Sequence, residues 1–268
     1  MIRVGYGQGS GFAFLWVDRY VELDDAQSLR VRTALDDWFA WHRRTQLPDY
    51  ADLLARAQSE LVADASPERM CAWYREIRGR VDTGVERAIP VIAEVALTLA
   101  PAQIAAIEKR NAKTNEEYRG EHLHRDPAKR RRAVLRREIE RAESFYGSLD
   151  PAQREFVARS VASSPYDPEM AFAERRQRQQ DLLQTLRRLT AARASQAQAE
   201  AEIRTWVQEF KRSPRDAYRS YSERVVAHNC AYASALHNGM STEQRRAAVR
   251  KLRNYESDLR ALAGDASS

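Results

Sequence analysis

Histidine and cysteine are the residues best suited to bind a metal or attack a substrate, and this chain has five histidines and two cysteines. His122 and His124 lie beside Glu121 and Asp126, the one place where residues that can bind a metal cluster. A zinc site needs three or four ligands at a defined spacing, and the H-E-x-x-H pattern that puts two histidines on one helix face is absent. We therefore interpret this cluster as a polar helix-to-turn junction and expect no metal and no cofactor.

The cysteines, Cys71 and Cys230, allow two chemistries. A nucleophilic cysteine needs a neighbouring base, and His228 or His237 could serve as one. No companion motif accompanies such a pair, so we do not predict an enzyme. In an oxidising compartment the two cysteines could instead form a single disulfide across a long loop. The sequence does not say whether the helices that carry them touch.

Basic residues form two runs that could contact phosphates. They contain Arg130, Arg131, Arg132, Arg136 and Arg137 in the first run, and Arg175, Arg176 and Arg178 in the second. Glu138, Glu140 and Glu143 follow the first run at helical spacing, which is typical of a solvated helix face with i,i+4 ion pairs. The net charge of +6 comes from a dense mixture of both signs. Binding to nucleic acid or another anionic polymer is therefore our second interpretation of the chain.

Helix starts are the clearest structural signal. Proline suits the first position of a helix, and Ser or Asp before it can cap the free backbone N–H groups. Six prolines, at 67, 101, 127, 151, 168 and 214, follow a residue at a cap position, and five of these six residues are Ser or Asp. They predict helices near 67–98, 101–122, 127–147, 151–163, 168–193 and 214–238, with further helices near 197–211 and 242–263. Pro90 lies inside the first of these and predicts a kink or a break.

The segment 16–48 carries three of the five tryptophans. Its apolar and aromatic residues, among them Val31, Leu35, Trp38 and Phe39, recur as one stripe of a helix. Asp24 or Asp25 should cap this helix, and Pro48 should end it, because proline disfavours helix in the preceding residue. A helix so aromatic on one side must be covered by others.

Composition favours a wholly helical protein. Strong helix formers dominate, only 10 glycines occur, and no stretch alternates like a strand. We predict an all-α, elongated bundle of about eight to ten helices without a sheet. Residues 1–15 should form a flexible or partly helical leader, 16–263 one domain that could divide into two lobes near 148–166, and 264–268 a frayed tail. The predicted core contains the residues that centre the stripes, namely Trp38, Trp73, Ile77, Val81, Tyr221 and Val225.

Three helix starts share a longer pattern of a hydrophobe, a cap residue, two spacers and a glutamine. They contain Leu99 and Gln103, then Leu149, Asp150 and Gln153, then Met240, Ser241 and Gln244. This is the pattern of a capping box, in which the glutamine reaches back to the N–H of the cap residue. Ala100 has no side-chain acceptor, so the first copy is half a box. One interpretation of these motif turns is local helix capping alone.

The other interpretation comes from resemblance. The pattern resembles the L-T-x-x-Q motif of the Spy/CpxP periplasmic stress proteins, which cradle unfolded or damaged clients. Over nearly the whole chain, WVDRYVELDDAQ (16–27), WFAWHRR (38–44), LAPAQ (99–103), EKRN (108–111) and EEYR (116–119) are similar to an uncharacterised proteobacterial family of predicted helical outer-membrane lipoproteins. That resemblance implies an all-helical fold and a periplasmic location. The family's precursors carry a lipid-modified cysteine upstream, which this sequence lacks.

We expect a non-enzymatic periplasmic protein that binds other polypeptides in a chaperone-like or envelope-homeostasis role. No apolar run approaches the roughly 18 residues of a membrane span. Contact with the outer membrane is therefore expected only through a lipid anchor, after removal of the signal and its lipidation cysteine. The alternative remains a helical protein that binds nucleic acid or an anionic polymer through its basic faces.

Overall fold

The computed structural model describes residues 2–123 and 126–264, which form twelve α-helices and one π-helical turn without any strand in these ranges. The helices are α1 (Ile2–Gly7), α2 (Gly9–Val21), α3 (Asp25–Trp41), α4 (Leu47–Glu60), α5 (Pro67–Thr98), α6 (Pro101–His122), α7 (Pro127–Tyr146), α8 (Pro151–Ser163), α9 (Pro168–Ala191), α10 (Gln196–Lys211), α11 (Asp216–Asn238) and α12 (Thr242–Gly264). The all-α prediction is confirmed. The number of helices exceeds eight to ten because the expected leader forms α1 and most of α2.

Pro48 does not end the helix that it was expected to end. The π-helical turn His42–Gln46 connects α3 to α4, and Pro48 occupies the first turn of α4. Proline lacks an N–H and its ring crowds the carbonyl four residues earlier, whereas a wider π turn needs no bond to that carbonyl. The proline is thus accommodated by a π-helical turn that connects α3 to α4. At the other end of α3, Asp24 is the cap, and its side chain accepts the N–H of Gln27 at 2.8 Å.

Helix α5 continues without a break from Pro67 to Thr98, with Pro90 inside it. Pro90 is exposed, so its ring displaces no packed side chain. The carbonyl of Pro90 accepts a hydrogen bond from Gln196 Nε2 at 2.9 Å. Of the kink or break that was expected, the break is absent, because α5 is one continuous helix. This long helix contacts α3, α9, α10 and α11.

Two main groups of buried side chains hold the helices together. The first joins α5, α6, α9 and α10 and includes Ile89, Ile104, Leu186 and Ile203. The second joins α7, α8, α11 and α12 and includes Val157. The first group combines residues from both sides of the 148–166 segment.

The core prediction is confirmed in part. Tyr221 is buried, and Trp38, Trp73 and Val225 are half-buried. For Ile77 and Val81 it is wrong, because their exposed fractions are 52% and 53%. The apolar stripe runs along the whole of α5. The α5 residues that belong to the first buried group or pack against it begin only at Val85. Periodicity identifies an apolar face and does not tell whether another helix covers it.

Candidate functional site

The motif turns form the capping boxes that their sequence predicts. Gln103, Gln153 and Gln244 each accept the N–H of their cap residue through Oε1, at 2.9, 3.0 and 2.9 Å. In turn, the side chains of Asp150 and Ser241 accept the backbone N–H of Gln153 and Gln244, at 2.8 and 3.2 Å. The preceding hydrophobes Leu99, Leu149 and Met240 are all buried. Each start is thus tied to its own turn and to the core.

The glutamines of α8 and α12 also bind each other. Gln153 Nε2 donates to Gln244 Oε1 at 2.8 Å, and Gln244 Nε2 donates to Gln153 Oε1 at 2.9 Å. Each Nε2 also donates to the carbonyl two residues before the other cap, Gly239 O at 3.0 Å and Ser148 O at 2.9 Å. The two helix starts are therefore joined by an amide pair, in which each glutamine side chain donates through its Nε2 and accepts through its Oε1.

The same arrangement occurs a second time, at the starts of α3 and α6. Gln103 Nε2 donates to Gln27 Oε1 at 2.6 Å and to Glu22 O at 2.9 Å. Gln27 Nε2 donates to Thr98 O at 3.1 Å and lies 3.3 Å from Gln103 Oε1. Glu22 and Thr98 again stand two residues before a cap. The chain thus repeats one junction between helix starts.

Our reading of the sequence missed Gln27. The signal was present, because residues 23–27, LDDAQ, have the same hydrophobe, cap, two spacers and glutamine as the other three turns. A fifth capping box, at Ser195 and Gln198, closes only on its own turn. Pairing is therefore not a consequence of the capping box alone and needs a second helix start placed opposite.

A groove of about 300 Å³ lies between α6 and α9. Arg119 and Arg176 line it, together with Glu108, Asn111, Asn115, Glu116, Phe172 and Gln179. Asn111 is buried and accepts the hydroxyl of Tyr20 at 2.5 Å. Glu108 is paired with Arg187 at 2.6 Å. The groove is thus rich in amides, carries two arginines and is partly apolar.

The second basic run does not form a continuous surface. Arg178 is only 19% exposed, because it pairs with buried Glu174 at 2.9 Å and lies over the ring of Phe210. Arg175 is half-buried and donates to Asn115 Oδ1 at 3.0 Å. Burial raises the pKa of Glu174, but the hydrogen bonds from Arg215 and Ser213 and the charges of Arg178 and Arg215 together outweigh it, so the pKa is lowered overall. Of the three arginines in this described segment, Arg176 is the exposed one.

The first basic run lies at the start of α7. Arg131, Arg132, Arg136 and Arg137 are exposed, and Arg130 is half-buried. The ion pairs here are long, Arg130 Nη1 to Glu169 Oε1 at 3.9 Å and Arg136 Nε to Glu140 Oε1 at 3.8 Å. Of the expected i,i+4 ion pairs, this described segment thus contains one, between Arg136 and Glu140.

Two helix faces expose apolar side chains. On α5 these are Tyr74, Ile77 and Val81, at i, i+3 and i+7, so they form one stripe along the helix. We call it the α5 stripe. On α2, Phe12, Leu15 and Trp16 are each at least 60% exposed. Single exposed apolar residues are ordinary, whereas adjacent ones mark surfaces that contact something.

Cys71 and Cys230 form a disulfide between α5 and α11, with Cα atoms 5.3 Å apart. A paired cysteine has no thiolate, so the nucleophile alternative is wrong for this state of the chain. His237 is fully buried; its Nε2 lies 2.9 Å from Ala63 O and its Nδ1 lies 3.1 Å from Tyr146 Oη. Burial lowers the pKa of His237.

His42 stacks on Trp38, with 4.7 Å between ring centroids, and burial lowers its pKa as well. His122 Nε2 lies 3.7 Å from Glu121 Oε2, whereas His124 lies outside the described residues. Among the residues that the structure describes, no group of three or more His, Cys, Asp or Glu side chains could hold a metal ion.

The family of the chain follows from comparison with known proteins. A model of a family of unknown function, DUF6279, matches residues 19–211. The chain belongs to this family. No curated protein and no solved structure matches it. The matched region includes Gln27, Gln103 and Gln153. It ends before Cys230 and Gln244.

Among the described helices, no single one is long and apolar enough to cross a membrane. Helices α5 and α6 pass that test of length and composition only as a pair, and they are bent by 117° at the break between them.

Proposed function

We propose that this chain is a non-enzymatic periplasmic protein that binds other polypeptides, in a chaperone-like or envelope-homeostasis role. In this proposal its precursor is lipid-anchored to the outer membrane. The observation that carries the proposal is the α5 stripe of Tyr74, Ile77 and Val81, which is exposed on a helix that elsewhere contacts α3, α9, α10 and α11.

An apolar stripe on a rigid helix suits an apolar segment of another chain. Arg78, half-buried, is four residues after Tyr74 and three before Val81, so it neighbours the stripe on the helix surface. An arginine stem can cover apolar surface while its charged head attracts acidic groups. The stripe therefore combines apolar contact with positive charge, the combination expected for a binder of non-native polypeptides.

The disulfide supports the proposed compartment. Disulfides persist in oxidising places such as the periplasm and are rare in the cytosol. The proposal also draws on the four glutamine turns, which have the hydrophobe, cap, two spacers and glutamine that resemble the L-T-x-x-Q motif of the Spy/CpxP proteins. The groove between α6 and α9, with Arg119 and Arg176, offers a second place for an acidic client segment.

Binding of an anionic polymer remains the second candidate function. The observation that favours it is the exposed, loosely paired basic run of α7. A steep decrease of polyanion binding with added salt, with no binding of polypeptides, would favour it over the first candidate.

The test is an aggregation assay with a reduced client protein, at low and moderate ionic strength. The purified chain should suppress aggregation beyond a helical control protein of matched charge. The double variant Ile77→Ser, Val81→Ser should lose most of this effect, because it removes half-exposed apolar groups with a stability change of about 0.5 kcal/mol per site. Leu29→Ser is the matched control, since Leu29 is 68% exposed on another helix.

Circular dichroism melts of all variants establish that they are folded. Suppression no better than that of the control protein would overturn the chaperone-like proposal. Equal suppression by the wild-type chain and the double variant would remove the α5 stripe as its site.

A further inference from the structure

The basic side chains of α7 form one face. Lys129, Arg132 and Arg136 stand at i, i+3 and i+7, so they form one stripe, and Arg137 lies roughly 100° further round the helix from Arg136. All four are exposed. The apolar residues Leu135 and Ile139 follow Arg132 at i+3 and i+7, so they border this basic face, and they pack against the second buried group. The basic face thus lies beside the packed side of its helix, over about 12 Å.

These cations have little internal compensation. Elsewhere, exposed arginines pair closely, as Arg30 does with Glu94 at 2.7 Å and Arg187 with Glu108 at 2.6 Å. On the basic face the one printed pair is Arg136 with Glu140, at 3.8 Å. Within the described ranges, no carboxylate lies within ion-pair distance of Arg132 or Arg137. The positive charge of this face is therefore available to a partner.

The order of charges along α7 also works against the helix itself. The first turns of a helix carry partial positive charge, so cations there are unfavourable and anions are favourable. Helix α7 has its cations in residues 129–137 and its first glutamates at Glu138 and Glu140. The cap residue Asp126 supplies one anion at this helix start, so the cations that follow are offset only in part by their own helix.

We propose that the basic face of α7 docks onto an anionic phospholipid surface. Clusters of four to eight Lys and Arg on a helix favour such surfaces, because each cation adds attraction to the anionic headgroups. The face contains no aromatic residue between 129 and 137, so it lacks the stacking groups that single-stranded nucleic acid binders use. This choice of partner rests on the oxidising compartment of the proposed function, which the disulfide supports and in which membrane lipid rather than nucleic acid is the resident anionic surface.

This contact is separate from the lipid anchor and from the α5 stripe of the proposed function. It would hold one defined side of the protein against the membrane through headgroups alone. Losing it should leave client binding unchanged, so the two proposals can fail independently.

The experiment is co-sedimentation of the purified full chain with vesicles. One set contains phosphatidylcholine alone and the other contains phosphatidylcholine mixed with phosphatidylglycerol. We expect binding to the anionic vesicles only, weakening as salt is added. The triple variant Arg132→Gln, Arg136→Gln, Arg137→Gln should bind at least about tenfold more weakly, since each cation contributes separately near the surface.

The matched control removes three exposed arginines that already have a carboxylate partner, in the triple variant Arg56→Gln, Arg187→Gln, Arg188→Gln. It has the same net charge as the first variant and should bind the vesicles within about threefold of the wild-type chain. Circular dichroism shows that both triple variants are folded.

Three results would overturn the proposal. The first is equal binding to neutral and anionic vesicles, and the second is equal loss in both triple variants, which would reflect net charge alone. The third is stronger binding to a soluble polyanion, single-stranded DNA or polyglutamate, than to the anionic vesicles at equal charge concentration, which would assign the face to a soluble partner.

Discussion

At the scale of residues, the glutamine amides set the geometry of four helix starts. Gln153 and Gln244 each bond to their own cap residue, to each other and to a backbone carbonyl. Removing one amide leaves the other with unmet donors and acceptors. We predict that Gln153→Ala and Gln244→Ala each lower the free energy of unfolding by about 1–3 kcal/mol, and that the double variant loses less than their sum. Urea unfolding of the four chains measures this coupling.

The matched control for this cycle is Gln198→Ala. Gln198 closes the same kind of capping box with Ser195 but has no partner glutamine. Gln198→Ala should lower the free energy of unfolding by less, about 0.5–1 kcal/mol. Its effect should add to that of Gln153→Ala without coupling. Strict additivity of the Gln153 and Gln244 substitutions would contradict the amide pair.

His237 should make stability depend on pH. Its Nε2 donates to Ala63 O, because a carbonyl only accepts, so the neutral ring accepts the Tyr146 hydroxyl at Nδ1. Burial lowers the pKa of His237 below its usual 6.5. The unfolded chain therefore takes up this proton more readily, and stability that is full above about pH 6.5 declines as the pH falls through that value.

The measurement is the free energy of unfolding between pH 8 and pH 5, for the wild-type chain and for His237→Gln. The variant should have the smaller decrease towards acid. Some decrease should remain in it, because burial also lowers the pKa of His42. An equal decrease in the two chains would mean that His237 does not contribute.

The role of a single residue could be predicted from the sequence where that role depends on the residue's own turn of helix. The roles of Asp150 and Ser241 as caps follow from their own turns and were predicted. The partner of each glutamine was not, since Gln27 and Gln103 are 76 residues apart. The exposure of Ile77 and the burial of His237 depend on which helices pack nearby, which no local pattern encodes.

At the scale of elements, Pro90 is the feature that a substitution can test most directly. It removes the N–H that would bond to the carbonyl of Glu86 inside α5, and proline costs about 3 kcal/mol relative to alanine in a helix interior. Because Pro90 is exposed, alanine should lose no packing. We predict that Pro90→Ala raises the free energy of unfolding by about 1–3 kcal/mol, measured in urea.

Pro101→Ala is the control, because a proline at the first helical position has no bond to restore. It should change stability by less than about 0.5 kcal/mol. A lower stability for Pro90→Ala would mean that the proline bends α5 into a shape that its neighbours require.

Most helix boundaries could be predicted because their causes are local. The starts at Pro67, Pro101, Pro127, Pro151 and Pro168 are where proline and cap residues place them. Pro48 was misread, because whether proline ends a helix or is accommodated by a π turn depends on what holds the helix on both sides. Tertiary packing of α3 and α4 decides that question.

At the scale of the whole molecule, the disulfide is the longest-range covalent constraint. It joins α5, inside the matched family region, to α11, outside it, across 159 residues. Closing so long a loop restricts the unfolded chain far more than the folded one. The sequence alone left this open, because only the packed structure brings the two helices together.

We predict that Cys71→Ser, Cys230→Ser unfolds more easily than the wild-type chain by about 3–5 kcal/mol. Reductant should bring the wild-type chain down to the stability of the double variant and should leave the variant unchanged, which urea titrations with and without dithiothreitol can measure. Thiol labelling of the denatured, unreduced wild-type chain should find no free cysteine. If both cysteines are labelled in protein isolated under oxidising conditions, the disulfide is absent in solution, and the argument for the compartment fails with it.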